Sequence, residues 1–153
     1  MMRLDPPDPP PTRALVVFTD GQDIWWLRLL RPGFRHVLVA VRRSDRLPGC
    51  WVIVNPLAHM TRVDLATDRP GLDLAGWFRA QGLTVVETMT RTPPRREAPW
   101  APLTCVEVVK RLLGLQARWV LTPFALYRCL TMAEAAGATG APPPRRKSLP
   151  PDG

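Results

Sequence analysis

Five side chains in this sequence could carry nucleophilic or metal chemistry: the cysteines Cys50, Cys105 and Cys129 and the histidines His36 and His59. Cys105 stands at the start of Leu103 to Leu113 (LTCVEVVKRLL), whose apolar Val106, Val109, Leu112 and Leu113 recur at helical spacing before Gly114. Thr104 supplies a capping residue near that start. A thiol placed there meets the positive end of the helix dipole and free backbone N–H groups, which favour the thiolate and predict a lowered pKa. Position alone leaves open the commoner fate of a cysteine, packing as a small hydrophobe.

His36 opens the apolar run His36 to Arg43 (HVLVAVRR), and Cys50 to Asn55 (CWVIVN) follows after the polar stretch Ser44 to Gly49. The two runs read as a hairpin. With Asp45, Arg46 and Leu47 at its tip, paired residue numbers sum to about 92, so His36 falls opposite position 56 and next to Asn55. A histidine at a strand's start, an amide on the adjoining strand to orient its ring and a helix-capping cysteine are the parts of a Cys-His-Asn hydrolase site. Read singly, His36 is more often a strand-end histidine and Asn55 more often a turn former before Pro56, and it is the joint arrangement that favours the catalytic reading. His59 could replace Asn55 as the ring's orienter or be a surface loop histidine.

These residues need a scaffold, and the pattern predicts a small α+β fold with an antiparallel sheet and helices packed on it. Ala14 to Thr19 (ALVVFT) reads as a buried strand, and Trp25 to Leu30 as a short helix stopped at Arg31-Pro32-Gly33. Met60 to Ala66 alternates as an exposed strand, with Thr61, Val63 and Leu65 on one side and Arg62, Asp64 and Ala66 on the other. Leu72 to Gln81 suits a helix despite Gly76, and Leu83 to Thr90 a further strand. Arg91 to Pro102 should be a loop, and a last helix should start at Thr122-Pro123 and end near Ala136. Cys50 and Cys129, among apolar neighbours, read as core thiols.

The segments Pro32 to Val41 (PGFRHVLVAV), Trp51 to Pro56 (WVIVNP) and Ala101 to Gly114 (APLTCVEVVKRLLG) resemble the permuted branch of the papain-like superfamily. That branch includes relatives of NlpC-type peptidases and lecithin:retinol acyltransferase-like proteins, with the histidine strand ahead of the cysteine helix. The resemblance implies a papain-like permuted core, with Cys105 as nucleophile, His36 as general base, Asn55 as its orienter and the Cys105 N–H as an oxyanion donor. It implies a cysteine peptidase or amidase working through a thioester, with peptidoglycan-type peptides as the first candidate substrates. Similar small chains also occur among phage and prophage proteins. Two departures stand out: Asn55 occupies a place where His or Asp is frequent, and no Gln shortly precedes Cys105. Trp100, in the loop before the cysteine helix, is the candidate substrate-binding residue.

Composition bounds the rest. The 153 residues suffice for one core, expected over 13–136. Ten of the 19 prolines fall in 1–12 and 137–153, which read as disordered Pro-rich ends. An odd cysteine count without close pairing argues against a disulfide framework, and two histidines without a carboxylate cluster argue against zinc, so no cofactor is expected. The net charge of +8 comes from arginines scattered along the chain, so specific nucleic-acid binding is not expected. No run spans a bilayer and no signal peptide opens the chain, which predicts a cytoplasmic or virion-associated protein. The rival to a hydrolase is a structural or interaction protein on the same fold, such as a virion or assembly component, whose basic Pro-rich tails dock protein partners.

Overall fold

β-branched and apolar residues dominate β1 (Arg13–Thr19), β2 (His36–Arg43), β3 (Cys50–Pro56), β4 (Thr61–Thr67) and β5 (Thr84–Met89), and these join into one sheet of order β4-β3-β2-β1-β5. Every neighbouring pair is antiparallel. The computed structural model describes residues 10–20, 25–43, 49–92 and 104–138. A 3-10 turn, Trp25–Leu29, takes the place of the short helix expected there. The helices are α1 (Leu74–Ala80), α2 (Cys105–Leu113) and α3 (Pro123–Ala138), so the protein is α+β with a five-stranded antiparallel sheet.

Strand alternation sorts the apolar side chains into two layers. Ala14, Val16, Phe18, Val37, Val39, Val54 and Val86 pack on one face with Val106, Val109 and Leu113 of α2 and Leu126 and Leu130 of α3. Leu15, Val17, Ala40 and Trp51 pack on the other with Leu74, Ala75 and Phe78 of α1. β1 lies between the two layers, with Ala14 to Phe18 buried whichever way they point. Burying each such Val, Leu or Phe stabilises the fold by about 1.5–3 kcal/mol relative to exposure.

The helix ends follow from local chemistry. Asp73 caps α1 by accepting from the Gly76 N–H at 2.8 Å, and a Cβ at position 76 would collide with that carboxylate. A larger residue at 76 would have to push the Asp73 carboxylate out of its capping position, so the cap in this form goes with glycine where helix propensity alone would disfavour it. Thr104 caps α2, its Oγ1 accepting from the Glu107 N–H at 3.3 Å, and Gly114 ends it in the left-handed region at φ 68°. Thr122 Oγ1 accepts from the Ala125 N–H at 3.2 Å to start α3, which runs on to Ala138.

The expected boundaries shift slightly. Thr12 is tied to the sheet by its N–H to Thr90 Oγ1 and by its hydroxyl to the Arg42 carbonyl. The tip of the β2-β3 hairpin lies outside the described residues, as do the tail from 139 onward and Trp100. Among the described residues no helix is long and apolar enough to cross a membrane.

Candidate functional site: a thiol where two strands part

The ladder between β2 and β3 starts at Val39 with Val54 and runs to Arg43 with Cys50, so paired numbers sum to 93. Its next hydrogen-bonding position toward the sheet's end, two residues along, would pair Val37 with Pro56, and proline has no N–H to give. Pairing ceases there. The strands part, and β3 continues only with β4, through Asn55 with Arg62 and Pro56 with Thr61.

Cys105 fills this gap. The first residue of α2 packs half-buried against the layer containing Val37 and Val106, and the backbone N–H groups of Val37, Val106 and Cys105 itself reach its sulfur. Burial pushes the Cys105 thiol above its ordinary value, and the three backbone N–H groups only partly oppose that shift. This corrects the lowered pKa expected from a helix start. The thiol has left water, and desolvation of the anion outweighs donors that would otherwise stabilise it.

His36 pairs with Thr19 of β1, and its ring nitrogen Nε2 lies 2.7 Å from Asn55 Oδ1. Because Oδ1 can only accept, Nε2 carries the proton and the Nδ1 lone pair is the basic site. In the observed register His36 would stand opposite Leu57, so Asn55 is its diagonal neighbour on the same sheet face, within reach of a long side chain. The inferred sum of 92 would have put Asn55 on the opposite face. The shift by one residue is what lets the two side chains meet.

Alternation turns Val37 toward α2, and His36 belongs to the opposite set. Among the described residues no hydrogen bond joins Cys105 to His36. The sulfur touches the backbone one residue along from His36, at the strand end that the imidazole-amide pair also occupies. The other candidates stand apart. His59 is exposed in the β3-β4 turn, while Cys50 and Cys129 are half-buried in β3 and α3. No group of three or more His, Cys, Asp or Glu suited to a metal occurs among the described residues.

A second polar cluster on α2 escaped the sequence reading. Lys110, only 4% exposed, binds Glu107 at 2.8 Å and the carbonyls of Ala117 and Val120 at 3.0 and 3.2 Å. Arg111 reaches the same carboxylate at 3.0 Å. Burial pushes Glu107 up, but the hydrogen bonds and charges of Lys110 and Arg111 hold its carboxyl below the ordinary range. The spacing of Glu107 and Lys110 suits one helix face, yet two charges in an amphipathic segment read as a solvated side until the α2-α3 connection is seen to cover them. Comparison with protein-family models, with curated proteins and with solved structures finds no match for this chain.

Proposed function

We propose that this protein is a cysteine peptidase or amidase of the permuted papain-like kind, with Cys105 as nucleophile, His36 as base and Asn55 as the group that fixes the ring. The observation that carries this reading is the 2.7 Å contact between His36 Nε2 and Asn55 Oδ1, at the strand end where the Cys105 sulfur meets the Val37 N–H. Asn55 holds the tautomer that leaves Nδ1 free to accept a proton.

Because burial keeps the resting thiol protonated, the cysteine works here by general-base catalysis rather than as a standing thiolate. His36 Nδ1 takes the thiol proton as the sulfur attacks the carbonyl of an amide or ester. The imidazolium then protonates the leaving amine or alcohol, leaving a thioester on Cys105. Water, deprotonated by His36, attacks that thioester and restores the thiol. Transfer needs the sulfur and ring within hydrogen-bond reach or joined by one water, so it requires the His36 ring, which belongs to the sheet face opposite Val37, to swing round the strand end toward Cys105. Backbone donors around the sulfur can serve the developing oxyanion. Peptidoglycan-type peptides are the proposed substrate class, by resemblance.

The test is a mass measurement of protein incubated with muropeptides and with an activated ester. An acyl adduct on Cys105, absent from Cys50 and Cys129 and lost in Cys105→Ala, is the expected result. No adduct, together with equal sluggishness of all three thiols toward iodoacetamide, overturns the reading. A second reading, an interaction or assembly protein on the same scaffold, is favoured by the raised Cys105 pKa and would be left standing by that outcome.

A further inference from the structure

We propose that β4 pairs edge to edge with β4 of a second copy, making an antiparallel dimer whose two-fold axis passes through Val63. The sheet has two edges, and they differ. On β5, Glu87 binds Arg13 of β1 and Arg79 of α1, each at 3.1 Å, and α1 and α3 pack against the strand. Among the described residues no strand pairs with the outer side of β4. Val63 is 57% and Leu65 73% exposed there.

The phase of the β3-β4 ladder decides which backbone groups face outward. Bonded pairs alternate along an antiparallel ladder. The Leu57 N–H donates to the Met60 carbonyl at 2.7 Å, and at the far end the Asp68 N–H donates to the Gly49 carbonyl at 2.9 Å. Both bonds fit the register of Asn55 with Arg62 and Cys50 with Thr67, so both ends give the same phase. Arg62, Asp64 and Ala66 therefore bond inward to β3. Thr61, Val63, Leu65 and Thr67 present their N–H and C=O groups outward.

Among the described residues nothing along this edge blocks addition of a strand. Thr61 to Thr67 contains no proline or lysine, and its register is free of bulges. Its charges choose the partner. Arg62 and Asp64, which bind each other at 2.9 Å, share one face. With the axis at Val63, Arg62 of each copy lies opposite Asp64 of the other, Val63 meets Val63, and Thr61 meets Leu65. Every outward group of those residues then finds a bonding partner. Moving the axis to Asp64 or Arg62 would set like charges directly opposite, which destabilises a pair of strands. The strand is self-complementary in one central register, as an isologous contact requires.

An interface this narrow should give a weak dimer, with a Kd at about the micromolar level. The experiment is sedimentation velocity on the full chain at concentrations up to about 500 µM, where a micromolar dimer is populated. Dimerisation is expected for the natural sequence. Val63→Pro removes an outward N–H without touching the ladder to β3, so it should leave a folded monomer by circular dichroism. Arg62→Asp turns two attractive cross-strand pairs into repulsive ones and should weaken the dimer by about tenfold or more, while Arg62→Asp with Asp64→Arg should restore it. A natural chain that stays monomeric overturns the proposal. So does a dimer indifferent to Val63→Pro, or a double charge exchange no better than the single one.

Discussion

The two flanks of α2 carry polar groups buried on opposite terms. On one side Glu107 and Lys110 satisfy each other, and Lys110 also closes the loop carbonyls of Ala117 and Val120. On the other, the polar partners of Cys105 among the described residues are backbone N–H groups, one of them freed because Pro56 cannot continue the ladder. The first cluster is saturated with strong partners, which holds the helix and its following loop in one arrangement. The second has donors aimed at an atom that is neutral at rest and gains full use of them only if charge develops. A buried polar group with complete partners stabilises a fold, whereas one whose partners exceed its resting needs is suited to chemistry.

Substitutions can break this contrast. Cys105→Ala should reduce turnover by about 10⁴-fold or more in the acyl-adduct substrates. It should cost only about 1 kcal/mol or less in denaturant unfolding, since little volume is lost and Ala is a good helix former. Lys110→Ala should do the reverse. It leaves the Glu107 carboxylate with Arg111 alone and strands two carbonyls, so stability should fall by about 1–3 kcal/mol, seen as a drop in Tm. If Lys110→Ala proves mild and Cys105→Ala severe in unfolding, the two flanks have been assigned the wrong way round.

A smaller effect sharpens the role of Asn55. Asn55→Ala leaves His36 without its orienting acceptor and should lower kcat/KM by about 10²-fold, the scale of a misplaced catalytic group. Asn55→Asp should keep much of the activity and move the limb of the pH profile that reports the imidazole upward, because an adjacent anion raises its pKa. His59→Ala should change neither rate nor stability measurably, its ring being exposed in a turn.

Acid and base should separate the flanks as well. The Glu107 carboxyl is held low in the folded chain, so its stabilisation is present above the ordinary carboxylate pKa and is lost as pH falls through the folded value. The Cys105 thiol is held high, so its contribution is present below the ordinary thiol pKa of 9.0 and is lost as pH rises through the folded value. Unfolding followed across pH should therefore show an acid limb flattened by Glu107→Gln and a basic limb flattened by Cys105→Ala. An unchanged basic limb in the second variant would show that the thiol's burial is not felt by the folding equilibrium.

Much of this arrangement was legible from residue types. The alternation of Thr61, Val63 and Leu65 against Arg62, Asp64 and Ala66 matches β4, and Thr104 and Gly114 bracket α2 where their capping chemistry places them. What was not legible turns on single atoms. The hairpin sum differs by one from the observed register, and one residue decides which face Asn55 takes. The raised Cys105 pKa depends on packing among Val37 and Val106, residues distant in the chain whose meeting no local pattern announces. Glu107 and Lys110 looked like a wet face because the segment that covers them, up to Val120, follows them in sequence.

The order in which the sheet is wired sets a schedule for the cysteine. β1 through β4 join as neighbours along the chain, whereas β5 must return to β1 across the whole meander, and contacts that close long loops form late. α2 follows β5 in the chain and docks on β2 and β3, so Cys105 must itself close a long loop to reach Val37. On a chain emerging or refolding, this thiol spends its longest interval as an ordinary water-exposed cysteine, open to oxidants, and the native burial that raises its pKa afterwards acts as its protection.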